Sequence, residues 1–169
     1  MANNNRTEIY IEGSKEAIDN FIERFDKCHD GAYPNQEENP HIVDEFGAEA
    51  ENFIDKVGSK WVKIWDEGYY RSSDNRCEIY LDSAWYPPSD MILEIYRQMA
   101  EIDDEIKVSG KYWDEGYNPI GVFEVYYGEI FSEEQDIDED EDQEYFWDDV
   151  IEPAFDGLQA RLDKVMREI

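Results

Sequence analysis

Eleven of the eighteen residues from 132 to 149 are acidic: Glu133, Glu134, Asp136, Asp138, Glu139, Asp140, Glu141, Asp142, Glu144, Asp148 and Asp149. Carboxylates this dense can hold a hard cation, work in pairs as acid and base, or offer acceptors to Arg and Lys. For a cation, Asp136, Asp138, Asp140 and Asp142 alternate as in a calcium loop. The register fails. A loop starting at Asp136 has Glu141 where glycine is required and Trp147 where the closing Glu is required; one starting at Asp138 has Gln143 at the glycine position. Diffuse association with Ca²⁺ or Mg²⁺ follows, and no dedicated metal site is expected. Acid pairs are too numerous here for any two to stand out as a glycosidase pair.

The third chemistry fits best. As a helix, residues 132–149 would span about 27 Å. Their eleven charges would then fall roughly one per 2.5 Å, against about one per 1.7 Å of duplex DNA. A carboxylate also accepts the two-pronged hydrogen bonding of Arg, as phosphate does. The tract is read as a partner-binding element for a basic nucleic-acid-binding protein. The bland reading is a solvated linker, because blocks of like charge are usually disordered. Tyr145, Phe146 and Trp147 follow the tract directly; they either pack it down or anchor a partner.

Other chemistries have less to stand on. Cys28, His29 and His41 could be placed around zinc, but a fourth ligand and the C-x-x-C spacing are missing. The histidines sit in or beside a Pro/Gly loop, and no G-x-S-x-G elbow is present. No Gly-rich phosphate loop occurs. The expectation is a non-enzymatic chain with no cofactor. Cys28 and Cys77 lie far apart and form no disulfide scaffold.

Charge dominates the composition. Forty-four acids against fifteen bases leave −29 over 169 residues, well beyond the magnitude of about 2–8 that suits a small soluble domain. Such charge repels itself and destabilises a compact state. Membranes and nucleic acids are both negative, so direct binding to either is not expected and a basic protein surface is the natural complement. The negativity is spread: −8 over residues 1–60, −9 over 61–131 and −12 over 132–169. Distributed charge fits a folded decoy better than a neutral domain with an acidic tail. Aromatics at 15% supply a core that disordered chains lack. Met1–Arg6 holds no apolar run, so no signal peptide is expected, nor a spanning helix, and the cytoplasm is the default compartment.

These side chains need a scaffold. Thr7–Ile11 reads as a strand, followed by a helix capped by Ser14 with Ile18, Phe21, Ile22 and Phe25 inward. Residues 28–41 read as a loop. A second helix is expected from about Asp44 to Val57, with Phe46, Ala50, Phe53, Ile54 and Val57 facing inward. Trp61–Trp65 and Cys77–Ala84 read as strands. Pro87-Pro88 breaks the chain, and Ser89 is expected to cap a third helix carrying Ile92, Ile95, Tyr96 and Met99. Residues 105–113 and 120–130 read as two strands, the second with Glu124 on a solvent face and Phe123, Val125 and Tyr127 on an apolar one. Ile151, Phe155, Leu158, Leu162, Val165 and Ile169 mark a closing amphipathic helix, with Pro153 in its first turn. The pentamer Trp-Asp-Glu-Gly-Tyr occurs at 65–69 and again at 113–117; both copies read as strand-end turns with a packed Trp.

One stretch carries a resemblance. Gly58-Ser59-Lys60-Trp61, Ser83-Ala84-Trp85-Tyr86-Pro87-Pro88, Tyr112-Trp113-Asp114-Glu115-Gly116, Gly121 and Gly128 resemble the YubB-type ferredoxin-like domain of plasmids and phages. The resemblance covers under half the chain. It implies a ferredoxin-like sheet with no iron–sulfur cluster, no established catalytic residues, and a mobile-element origin.

The expected fold class is α+β: a ferredoxin-like antiparallel sheet covered by helices on one face. Residues 1–131 form that domain, 132–149 the acidic tract, and 150–169 a helix packed on the same domain. Trp61, Trp85 and Trp113 are expected to be buried and to hold the sheet. The expected function is an acidic nucleic-acid mimic that blocks a basic host defence protein such as a CRISPR effector, restriction enzyme or nuclease. The alternative is a non-inhibitory interaction domain whose acidity serves solubility.

Overall fold

A computed structural model describes residues 3–28, 39–138 and 144–169. Its first strand, β1 (Asn4–Glu12), alternates buried and half-buried positions along its whole length, so Ile9 and Ile11 face one side and Arg6, Glu8 and Tyr10 the other. Helix α1 (Lys15–Cys28) follows. The Ser14 hydroxyl accepts from the Ala17 amide at 3.2 Å, and Ile18, Phe21 and Phe25 are buried at helical spacing.

The single helix expected from Asp44 to Val57 is two short ones. Helix α2 (Pro40–Phe46) starts where Asn39 caps the His41 amide, with Pro40 in the first turn. It stops at Gly47, whose amide bonds back to the Val43 carbonyl. Helix α3 (Phe53–Val57) starts at a second cap, Asn52, and ends at Gly58 with φ of 86°. Phe46, Phe53 and Val57 are buried, whereas Ile54 is exposed. Two local caps thus outweigh an apolar period that runs through both helices.

Strands β2 (Val62–Ser73) and β3 (Arg76–Ala84) form a hairpin, then α4 (Ser89–Ala100) crosses back to β4 (Lys107–Asp114). Ser89 does not cap α4: it is the first helical residue after Pro88, and no side-chain cap bond is made. The expected strand at 120–130 splits into β5 (Ile120–Tyr126) and β6 (Glu129–Gln135). Tyr127 and Gly128 between them both take positive φ, 48° and 78°. That is the conformation a two-residue hairpin turn needs to match strand twist.

All pairings are antiparallel, and the order is β2-β3-β1-β4-β5-β6. Helices α1 to α4 and one face of the sheet enclose the main core, which contains Ile9, Phe21, Phe25, Phe46, Leu81, Ile95 and Phe123. Gly110 sits under that core. A Cβ there would lie 2.1 Å from the Glu8 carbonyl oxygen and 2.7 Å from the Phe123 ring. Gly110→Ala is therefore expected to cost about 1–3 kcal/mol by overpacking, read from a urea melt.

Helices are not confined to one face. A π-helical turn (Trp147–Ile151) and helix α5 (Glu152–Arg167) pack on the opposite face against β5 and β6. Ile120, Val122, Ile137, Ile151, Phe155, Leu158 and Leu162 form a second core there. Successive residues of β5 feed different cores, Val122 the second and Phe123 the first, so this strand is covered on both faces and not on one. Val165 and Ile169, expected inward, are exposed.

Candidate partner-binding surface

The acidic tract is not one helix: of its described residues, 132–135 are strand and only 146–149 are helical. Residues 132–135 are the last part of β6, so the tract begins inside the sheet. Alternation along a strand then separates two of the expected binding residues. Glu133 faces α5, with its carboxylate 3.8 Å from Arg161 Nε, while Glu134 faces the α4 side and accepts from the Tyr112 hydroxyl at 2.7 Å. They do not share one strip.

Beyond β6, Asp136 and Asp138 are exposed on either side of buried Ile137. The Ile137 amide donates to the Tyr117 carbonyl at 3.0 Å, which fixes the chain there. Glu144, Asp148 and Asp149 are exposed at the far end. Glu139, Asp140, Glu141 and Asp142 lie outside the described residues. Five expected residues are thus described within the tract, Asp136 and Asp138 before residue 139 and Glu144, Asp148 and Asp149 after residue 143.

Aromatic packing holds the far end. Trp147 meets Trp113 edge-on at 5.1 Å between centroids and Phe155 at 6.1 Å; Phe146 meets Tyr117 at 5.6 Å. The Trp147 indole N–H donates to Glu152 at 3.1 Å. Of the three aromatics after the tract, Phe146 and Trp147 pack down, and Tyr145 stays 67% exposed. Both ends of the acidic segment are therefore pinned to the same second core.

Charge pairing differs between strands β1, β3 and β4 and the exposed aspartates of the tract. On the sheet face that β1, β3 and β4 share with α5, carboxylates have cations. Arg6 stacks 3.8 Å over the Trp65 ring centroid and lies 3.3 Å from Asp82, which also accepts from the Trp65 indole at 2.9 Å. Lys111 is 3.7 Å from Glu8, and Arg76 pairs with Glu12 and Glu78. Asp136, Asp138, Asp148 and Asp149 pair with no cation among the described residues.

The repeated pentamer gains a structural meaning on that face. Its first copy is not a strand end but a bulge inside β2, between the pairings of Ile64 and Tyr69, with Gly68 at φ of 68°. The second copy does end a strand, and the Gly116 amide donates to Asp114 at 2.7 Å. Arg6 stacks on Trp65 of the first copy and is the β1 register partner of Trp113 of the second. Trp61 is buried and Trp113 half-buried, but Trp85 is 49% exposed at positive φ and does not hold the sheet.

Glu124 lies at the α5 side of β5. Burial raises its carboxyl above the ordinary 4.5; Lys107 opposes the shift, and Asp163 and Glu12 add to it. The ionised form is thus disfavoured in the folded chain, which is a destabilising contribution above the folded pKa that vanishes below 4.5. Glu124→Gln is expected to raise the melting temperature at pH 7, with the gap closing as pH falls towards 4.5.

Cys77 is buried, which pushes its thiol up to about 12. The Cys28 thiol donates to the His41 carbonyl at 3.3 Å. His29 of the imagined zinc set lies outside the described residues. Among the described residues no group of three or more His, Cys, Asp or Glu is placed to hold a metal ion, and no helix is long and apolar enough to cross a membrane. The chain matches no family model, no curated relative and no solved structure.

Proposed function

We propose that this chain is an acidic nucleic-acid mimic of phage or mobile-element origin, acting in the host cytoplasm. It would bind a basic nucleic-acid-handling defence protein, such as a CRISPR effector, restriction enzyme or nuclease, and block its nucleic-acid site. The observation that carries this reading is the contrast in pairing. Carboxylates that β1, β3 and β4 present beside α5 have their cations, while exposed Asp136, Asp138, Asp148 and Asp149 pair with none among the described residues and lie on a segment packed at both ends against the second core. Unpaired charge on a fixed support attracts Lys and Arg at long range and loses little entropy on docking.

The support itself fits a ferredoxin-like core. From β1 to β4 the chain runs β-α-β-β-α-β if α2 and α3 are taken as insertions, with strand order β2-β3-β1-β4. The β5–β6 hairpin and α5 would then be additions that carry the tract. The YubB-type resemblance, which runs from Gly58 to Gly128, ends where the added β6 begins.

Exposed Tyr86, Tyr126 and Tyr127 favour a second reading, an accessory interaction domain that recognises through aromatics. Salt separates the two. Immobilised protein should capture basic nucleic-acid-binding proteins from host lysate at about 50 mM salt and release most of them by about 200 mM. Recovery of only metabolic or membrane proteins, or capture indifferent to salt, would end the mimic reading.

A further inference from the structure

A cavity of about 210 Å³ opens between the start of α4 and the β4–β6 end of the sheet. Tyr86, Tyr112 and Phe123 supply aromatic walls, and Ile92 and Ile130 line it between them. The Tyr112 and Phe123 rings stand 6.5 Å apart at 34°. Tyr86 is 64% exposed, so one wall can adjust to an occupant. Beside the cavity, the Tyr112 hydroxyl donates to the Glu134 carboxylate at 2.7 Å. Glu134 pairs with no cation among the described residues.

Aromatic faces next to a carboxylate that meets no cation among the described residues favour a planar, weakly hydrated cation. A guanidinium stacks on rings, is attracted by their quadrupoles, and forks onto a carboxylate; a lysine ammonium is more strongly hydrated and cannot stack. We propose that this cavity is an anchoring pocket for one arginine side chain of the basic partner. The source of that arginine rests on the reading above; the preference of the pocket for a guanidinium does not. The pocket also gives Glu134 a role, although it points away from Glu133 and from the α5 side. It would hold one side chain in place while the tract meets the others.

The test titrates the full chain with Nα-acetyl-arginine amide and with Nα-acetyl-citrulline amide, which has the same length and planarity without the charge. Moderate salt suppresses general attraction to the net charge. The readout is the methyl NMR signals of Ile92 and Ile130. The arginine probe should shift both signals saturably and bind about fivefold tighter than citrulline. Glu134→Gln should remove that preference and leave citrulline binding unchanged, since glutamine still accepts from Tyr112. Equal titration by both probes, no titration of these methyls, or a preference that survives Glu134→Gln would each overturn the proposal. A failed titration would leave salt-sensitive capture by the tract intact; a positive titration without such capture would sink the partner reading and keep the pocket.

Discussion

Replacing Asp136, Asp138, Asp148 and Asp149 together by asparagine is expected to weaken capture of the basic partner by about 100-fold at low salt. All four side chains are exposed and pair with no cation among the described residues; Asp148 and Asp149 favour only the first turn of the π-helical segment. An exposed ion pair contributes roughly threefold in affinity, and four compound to about 100-fold. The variant should stay within about 1 kcal/mol of the parent in stability, because relief of self-repulsion in a chain carrying −29 offsets the loss of two acids from a helix first turn. Its affinity should also fall less steeply with salt, since fewer charges meet the partner. A binding titration at two salt concentrations reads both effects. If acidity served only solubility, the variant would bind unchanged and aggregate more readily.

Phe155→Ala should cost about 4 kcal/mol, a large share of the roughly 5–15 kcal/mol that holds a domain of this size. Phe155 is 5% exposed and meets Trp113 and Trp147 at centroid distances of 5.9 and 6.1 Å, with Lys111 Nζ 5.1 Å from its ring centroid. Its removal leaves a hole where α5, the π-helical turn and β4 meet. A fall of about 10 °C in melting temperature follows. Trp fluorescence should shift to the red as Trp147 gains water. Partner affinity should fall as well, because the tract loses its far anchor, whereas Val165→Ala on exposed α5 surface should stay within about 0.5 kcal/mol of the parent. Unaltered partner affinity in a clearly destabilised Phe155→Ala chain would mean that the second core does not hold the binding element.

Much of the scaffold was legible where one period acted alone. Ile18, Phe21 and Phe25 behind a Ser14 cap define α1, and the Phe155, Leu158 and Leu162 spacing defines α5. Readings failed where local geometry competed with the pattern. Gly47 and Asn52 divide one apolar run into two helices, and the Asn39 cap starts the first of them earlier than expected. Tyr127 turns the chain at positive φ, a conformation few non-glycine residues adopt, so an unbroken strand was the natural expectation. The alternation of Val122 and Phe123 looked like one covered face, because a sequence does not show that α5 returns to the other side.

The candidate surface was legible in composition and only partly in geometry. Density of carboxylates located the tract. It could not show that β6 claims residues 132–135 and turns Glu133 and Glu134 to opposite faces. The pocket beside Tyr112 had no sequence signal, since Tyr86, Tyr112 and Phe123 come from three separate segments. The Trp-Asp-Glu-Gly-Tyr echo was visible, but its meeting point at Arg6 depends on strand order.

The most direct test is a competition between this chain and duplex DNA for one captured nucleic-acid-binding partner. Carboxylates that occupy the phosphate-binding groove must exclude the duplex, so rising DNA should displace the chain in proportion, and no complex should hold all three. A stable assembly containing partner, DNA and this chain together, with the affinity of the chain unaffected by DNA, would contradict the account.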